Sequence, residues 1–225
     1  MAEPSTRTVD RALSLLAVIC DDGRLTLSEA SRAVDLSPST ALRLLRTLET
    51  SGFVRRDDDG NYRPGSRIIQ LGAQSLSNES LIAQAHPIME ALVEETGESA
   101  YLSIEGHRST ALYIHIVEGT HSVRHTSWVG RTIPLDRSAA GHVLTGGTPA
   151  EGYVVVERGV EADVTAIAAP IRSERTVVAA LSLVVPSYRI DDLGIARQGR
   201  ALAEAAASLS AGLSKRTISS AGGDA

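Results

Sequence analysis

At 225 residues the chain is long enough for one large domain or two small ones with real cores, and its apolar share of 43% is ordinary for a globular protein. A net charge of −5 excludes a protein coated in positive charge, and the excess acid is confined: residues 1–76 hold ten Arg and ten Asp/Glu, residues 77–225 twelve Lys/Arg and seventeen Asp/Glu. No run of eighteen apolar residues predicts a membrane span, the opening MAEPSTRTVDRALSLL is unlike a signal peptide, and the single cysteine, Cys20, excludes an internal disulfide framework and fits a reducing cytoplasm.

In chain order, TVDRALSLLAVICDDG spaces Val9, Leu13, Leu16 and Ile19 near one helical stripe and predicts a helix over 8–20, closed by Asp21-Asp22-Gly23. Thr26 with Glu29 three positions on reads as a capping box that opens a short second helix ending near Val34. Ser37 is a strong N-cap, and Pro38 at the first helical position loses an amide that had no partner. The third helix then runs to about Thr50, with Ala41, Leu44, Leu45 and Leu48 on one stripe and Ser39, Thr40, Arg43 and Arg46 on other faces. GFVRRDDDGNYRPG follows as two short strands around Asp59-Gly60. Three helices and a hairpin make a winged helix-turn-helix, whose third helix enters a DNA major groove N-terminus first.

The roles follow from reach. Thr26, Ser37, Ser39 and Thr40 sit at helix starts, where hydroxyls and the helix dipole favour phosphate. Arg43 is placed for a bidentate guanine contact, and Leu42 for a thymine methyl or for packing on the first helix. Arg46, Arg55, Arg56 and Arg63 are expected on phosphates. Asp57, Asp58 and Asp59 argue against deep insertion of the wing tip.

SRIIQLGAQSL predicts a linker helix within 66–80. A polar break at Ser77-Asn78-Glu79-Ser80 separates it from a helix over Leu81–Thr96. From Glu98 the period shortens. Two strands flank Gly106, HSVRHTSW is expected as a third, and PLDRSAAGHVLTGG as a helix beginning near Arg137. EGYVVVERG, VTAIAAPI and TVVAALSLVVPS supply further strands, the last two joined at Ser173-Glu174-Arg175. DLGIARQGRALAEAAASLSAGLSKR is a closing amphipathic helix. The organisation expected is thus a winged helix-turn-helix over 1–65, a linker helix over 66–80, an α+β sensor over 81–216, and a Ser/Gly/Ala-rich disordered tail over 217–225.

This arrangement resembles the IclR family of bacterial transcriptional regulators over nearly the whole chain. The resemblance is carried by TVDRALSLL, LSEASRAVDLSPSTALRLLRTLETSGFV and GNYRPGSRIIQLG, then by HPIMEALVEETGESAYLSI, VGRTIPLDRSAAGHVL and IAAPIRSERTVVAALSLVVP. It implies an α-helical winged helix-turn-helix domain followed by an α+β, GAF-like domain with a central antiparallel sheet. It also implies a small organic effector, and dimers, often paired into tetramers, on palindromic double-stranded operators. The output expected is repression.

Three departures stand out. Only Thr148 to Glu151 separate GHVLTGG from GYVVVERG, where the family carries a further helical stretch, so the sensor is abbreviated. Asp136 and Ser138 stand where His and Thr are common, and Ala166 where Cys is common.

For the effector, a small organic acid or aromatic metabolite, Gly130, Leu135, Ser138 and Ala139 match the family's pocket motif. Trp128 lies just before that motif and suits a pocket, a core or an interface equally. Tyr101, Ser103, Ala166, Ala168 and Ser182 are expected to face the same cavity from the strands, and Arg131 is a candidate partner for a ligand carboxylate. The cavity is expected to be roomy, because Ala139, Ala140, Ala166 and Ala168 are small.

Other chemistry is poorly supported. His115, His121 and His125 fall near neighbouring strands but lack metal-ligand spacing. Ser138 beside Asp136 and His142 lacks a GxSxG elbow. No GxGxxG or GxxxxGK[ST] is present. No cofactor, metal or catalytic residue is predicted. The rival reading is a metabolite-binding enzyme or carrier with an accessory helical domain.

Overall fold

The computed structural model of the chain describes residues 6–77, 80–125 and 127–221. They divide into two compact units, Met1–Asn78 and Glu79–Ala225.

In the first unit, α1 (Arg7–Asp22) ends where Gly23 takes φ +72°, a left-handed position glycine reaches without strain, and returns its amide to the Ile19 carbonyl. The buried stripe of α1 is the expected one only in its C-terminal half, where Ile19 is buried and Leu16 packs against the core. Leu15 and Ile19 are fully buried, whereas Val9 and Leu13 are more than half exposed. α2 (Leu27–Ala33) opens with the capping box complete: the Glu29 amide donates to Thr26 Oγ1, and the Thr26 amide donates to Glu29 Oε2 at 2.8 Å. Asp35, at φ +51°, makes the turn into α3 (Pro38–Thr50), a conformation Asp tolerates better than most residues. Ala41, Leu44, Leu45 and Leu48 of α3 are buried as one stripe against α1.

β1 (Val54–Arg56) and β2 (Tyr62–Pro64) pair antiparallel, with Gly60 at φ +83° in their turn. Leu25 adds a bridge to Tyr62 on the far side, so the wing is sewn to the α1–α2 connection by two backbone hydrogen bonds. α4 (Ser66–Ser77) follows. Of the expected polar break, Asn78 and Glu79 lie outside the described residues.

The second unit begins with α5 (Ser80–Thr96) and is organised by one six-stranded sheet. Its strands are β3 (Ser99–Glu105), β4 (Thr110–Val117), β5 (Thr132–Pro134), β6 (Val154–Glu157), β7 (Val164–Ser173) and β8 (Thr176–Pro186). The order is β5-β4-β3-β8-β7-β6, and every neighbouring pair is antiparallel.

Alternation along the strands sends side chains to two cores. Leu102, Ile167, Ile171, Leu181 and Leu183 point to one face and pack with α5 and with α7 (Asp192–Ala221). Tyr101, Tyr113, Ala168, Ala180 and Val184 point to the other, under α6 (Ala139–Leu144) and the loop before it. A Cβ on Gly141 would collide with the backbone of Leu135, so only glycine lets α6 lie this close.

Two expectations are corrected. HSVRHTSW forms no strand among its described residues. It is a loop tied down at several points: the Val123 carbonyl accepts from Arg189, the His125 carbonyl from Ser99 and the His125 ring bonds Tyr101. Its alternation reflects that anchoring rather than a ladder. α7 continues to Ala221, across the first five residues of the expected disordered tail; residues 222–225 lie outside the described residues.

Candidate functional site

Two sites emerge, one in each unit. In the first, Ser37 caps α3: its hydroxyl accepts from the Thr40 amide and lies 3.2 Å from Ser39 Oγ. The buried leucine stripe turns the opposite face outward, so Ser39, Arg43 and Arg46 are exposed and Leu42 and Thr40 half-buried. No hydrogen bond or ion pair among the described residues holds the guanidinium of Arg43, Arg46 or Arg55.

The other wing arginines are engaged. Arg56 donates to the Gly60 carbonyl at 3.0 Å and lies over the Tyr62 ring, and Arg63 pairs with Asp57 at 3.0 Å. The acids of the wing are therefore not simply repulsive. Arg24, which no local pattern singles out, reaches Asp57 at 3.4 Å and Asp59 at 2.7 Å. Asp57 is held below the usual carboxylate range by its hydrogen bond from Arg63, reinforced by the Asn61 amide and Arg24. Its signal was long-range, an arginine in the α1–α2 loop, and only the Leu25–Tyr62 bridge brings that loop to the wing.

In the second unit, a cavity lies between the sheet and the α6 side. Of the expected residues, Trp128, Ser138, Ala139, Ala166 and Ser182 line it. Five others do not. Tyr101 is fully buried beside it, with its hydroxyl in a hydrogen bond with His125 Nδ1 at 2.7 Å. Ser103 donates to the Ala180 carbonyl. Gly130, at φ +85°, turns the loop and bonds the Tyr113 carbonyl. Leu135 packs its backbone under α6, and Ala168 sits within the β7–β8 ladder opposite Ser182. Arg131 lies over the Trp128 ring at 5.2 Å, outside the lining.

The lining the sequence did not single out includes Tyr113, Ile133 and Arg137, together with His125 and a stretch of the β6–β7 connection with Gly159 and Glu161. Tyr101, Tyr113 and Trp128 gather here, three of the seven Phe, Tyr and Trp residues of the chain. Such a concentration suits a flat apolar ligand with few polar contacts. Burial pushes the Tyr101 and Tyr113 phenols well above their ordinary range, so both keep their protons. His125 bridges Tyr101 to Glu161, with Nε2 2.9 Å from Glu161 Oε2. With a neutral ring, Tyr101 donates to Nδ1 and Nε2–H donates to Glu161.

Ser138 is committed twice: it accepts from the Gly141 amide as the N-cap of α6 and donates to the Pro134 carbonyl at 2.6 Å. Ser182 differs; its hydroxyl is buried and without a hydrogen-bond partner among the described residues. The expected roominess is absent. The cavity volume is about 30 Å³, enough for one or two waters. The small alanines leave room that Trp128, Tyr113 and His125 fill.

The histidines considered for metal are parted. His115 meets His86 at 3.0 Å, His121 meets Glu98 at 3.5 Å, and His125 meets Tyr101 and Glu161. Among the described residues no three His, Cys, Asp or Glu side chains converge on one point.

Comparison with known proteins places both units. Residues 8–58 match the IclR helix-turn-helix domain, and residues 73–150 and 146–211 match the bacterial transcriptional regulator IclR C-terminal domain. The transcriptional repressor IclR of Escherichia coli (strain K12) is 32% identical over 143 residues, 62% of this chain and 52% of that protein; the chain thus aligns with about half the length of that relative. The regulator XynR of the same organism is 27% identical over 248 positions, covering 93% of this chain and 98% of that protein. Since 93% of this chain is about 209 residues, that alignment holds about 39 positions this chain lacks. The C-terminal family match falls into two segments, 73–150 and 146–211, which meet at the short Thr148–Glu151 connection.

Among solved structures, an IclR transcriptional regulator from Alicyclobacillus acidocaldarius superposes with a TM-score of 0.78 at 23% identity, covering 93% of this chain and all of that one. An IclR homologue from Microbacterium hydrocarbonoxydans, complexed with 4-hydroxybenzoate, gives 0.74 at 25% identity over 92% of this chain and 98% of that one. These relatives are regulators and not enzymes, which sets the enzyme reading aside. With both of its domains matched in order and the C-terminal match alone spanning more than half its length, the chain belongs to the IclR family of bacterial transcriptional regulators.

Proposed function

We propose that the chain is a one-component repressor. It would bind a palindromic double-stranded operator as a homodimer, which can pair into a tetramer, and respond to a small organic acid or aromatic metabolite seated in the cavity beside Trp128. The observation that carries the DNA half is the free, exposed Arg43, one turn into a Pro-initiated helix whose opposite face is buried. Arg43 reads a base, Arg46 and Arg55 hold phosphates, and Ser39 assists at the helix start. Arg56 and Arg63 reach phosphate only by loosening contacts they already make. Thr26 and Ser37 act through their caps. The effector acts by preferring one arrangement of the dimer, since a ligand with equal affinity for two states shifts neither.

Fluorescence anisotropy with DNA from upstream of the protein's own gene tests the reading. Arg43→Ala should cost about 1–3 kcal/mol on the operator and blur discrimination at one base position. Arg55→Ala should weaken specific and random DNA alike and flatten the salt slope. An Arg43→Ala protein with its operator preference intact overturns this assignment.

A further inference from the structure

The cavity is small. At about 30 Å³ it admits no aromatic ring, so any ligand of that size must open it. Two polar links join segments that line it. Arg137 donates to the Gly159 carbonyl at 3.1 Å, and His125 Nε2 meets Glu161 Oε2 at 2.9 Å. Only the second joins side chain to side chain, and it holds the loop after β4 to the β6–β7 connection. The His125 side chain is 11% exposed and that of Glu161 35%.

The charges decide what may enter. Arg137, the one arginine or lysine among the described lining residues, is exposed, with its guanidinium on Gly159. Glu161 brings a carboxylate to the lining, and among the described residues a donor reaches one of its two oxygens. A ligand carboxylate pressed against it would meet like charge in a partly desolvated site. A ligand donor would find an acceptor already in place.

We propose that Glu161 and His125 form a selective latch on this cavity: the ligand is a small aromatic compound bearing an amine or a hydroxyl, and that donor replaces His125 on the Glu161 carboxylate. The inference rests on the reading of this cavity as the effector site and narrows the ligand from acids to donors. The aromatic ring takes the space beside Trp128 and Tyr113 as the two segments part. His125 keeps Tyr101 as a partner, so releasing Glu161 does not strand its ring.

The test titrates three probes that share one ring, benzylamine, benzyl alcohol and benzoate, into the full chain at millimolar concentration, followed by calorimetry. The unaltered protein should bind the amine and the alcohol about tenfold or more tighter than benzoate. Glu161→Gln should lose most of the preference for the amine. His125→Phe removes the competing donor while keeping a ring between Tyr101 and Trp128, so it should tighten the amine.

The two variants are thus expected to move in opposite directions, and the tightening by His125→Phe is a change that loss of folding cannot mimic. Benzoate favoured by the unaltered protein, or amine binding changed in the same direction by both variants, overturns the latch and leaves the cavity reading standing. Failure of all three probes to bind the unaltered protein overturns the cavity reading and the latch together, while DNA binding by anisotropy remains as a separate readout of the first unit.

Discussion

Ser138 and Ser182 show how two serines of one site take different parts. Ser138 is identifiable from sequence as a helix start, but its hydroxyl already caps Gly141 and donates to Pro134. Ser138→Ala should therefore act mainly on stability, costing about 1 kcal/mol as lost N-caps do, with ligand affinity nearly unchanged. Chemical denaturation beside the probe titration checks this: a large affinity loss with no change in stability would put Ser138 on the ligand instead. Ser182 is buried with an unpartnered hydroxyl among the described residues. A buried hydroxyl left unpaired is costly, which gives a ligand something to gain there. Nothing in the local sequence ALSLVV sets Ser182 apart; the β7–β8 register and the strand's alternation put it on the cavity face.

At the scale of elements, the winged helix is held by acids with depressed protonation. Glu29 is held below its ordinary value of 4.5 by the Thr26 amide first and the Thr26 hydroxyl next, and Asp57 below its ordinary 3.8 by Arg63 first. A carboxylate whose folded pKa is depressed contributes stability that is fully present above its unfolded value and lost as pH falls through the folded one. The first unit should thus weaken as pH drops below about 4.5 and then 3.8, with the wing and α2 loosening. Hydrogen exchange of the α2 and β2 amides between pH 5 and pH 3 reads this. Asp57→Asn and Glu29→Gln together should flatten the profile. An unchanged acid profile in the double variant would show that other groups set it.

At the scale of the whole molecule, the first unit by itself leaves apolar side chains in water. Val9 and Leu13 on α1 are 53% and 57% exposed, and Ile69 on α4 is 74% exposed. Exposed apolar groups of this size on the helices of a DNA-binding unit suit a partner surface. A single reading helix also needs a second half-site for high specificity. Light scattering at micromolar concentration should give a dimer or a multiple of it, and Leu13→Glu should shift the mass toward monomer. Monomer alone, with and without DNA, would count decisively against a paired reader.

The amino-acid sequence alone determined the elements whose signals are local. The Thr26–Glu29 box, the Ser37-Pro38 start, the leucine stripe of α3 and the Asp59-Gly60 turn each lie within a few residues, because capping and helical periodicity act over one or two turns. Tertiary structure decided whatever joins distant segments. Leu15 displaced Val9 and Leu13 from the buried stripe of α1 because α3 packs on one side only. HSVRHTSW alternates like a strand, yet Val123 and His125 are held by Arg189, Ser99 and Tyr101, partners that local periodicity does not contain. Tyr113, His125 and Glu161 come from β4 and two loops far apart in the chain, and line one cavity only because the strand order and alternation bring them to the same side of the sheet. Residue types and short spacings carry the chemistry of each element, while which side chains share a cavity is set by strand order and register, which no local pattern encodes.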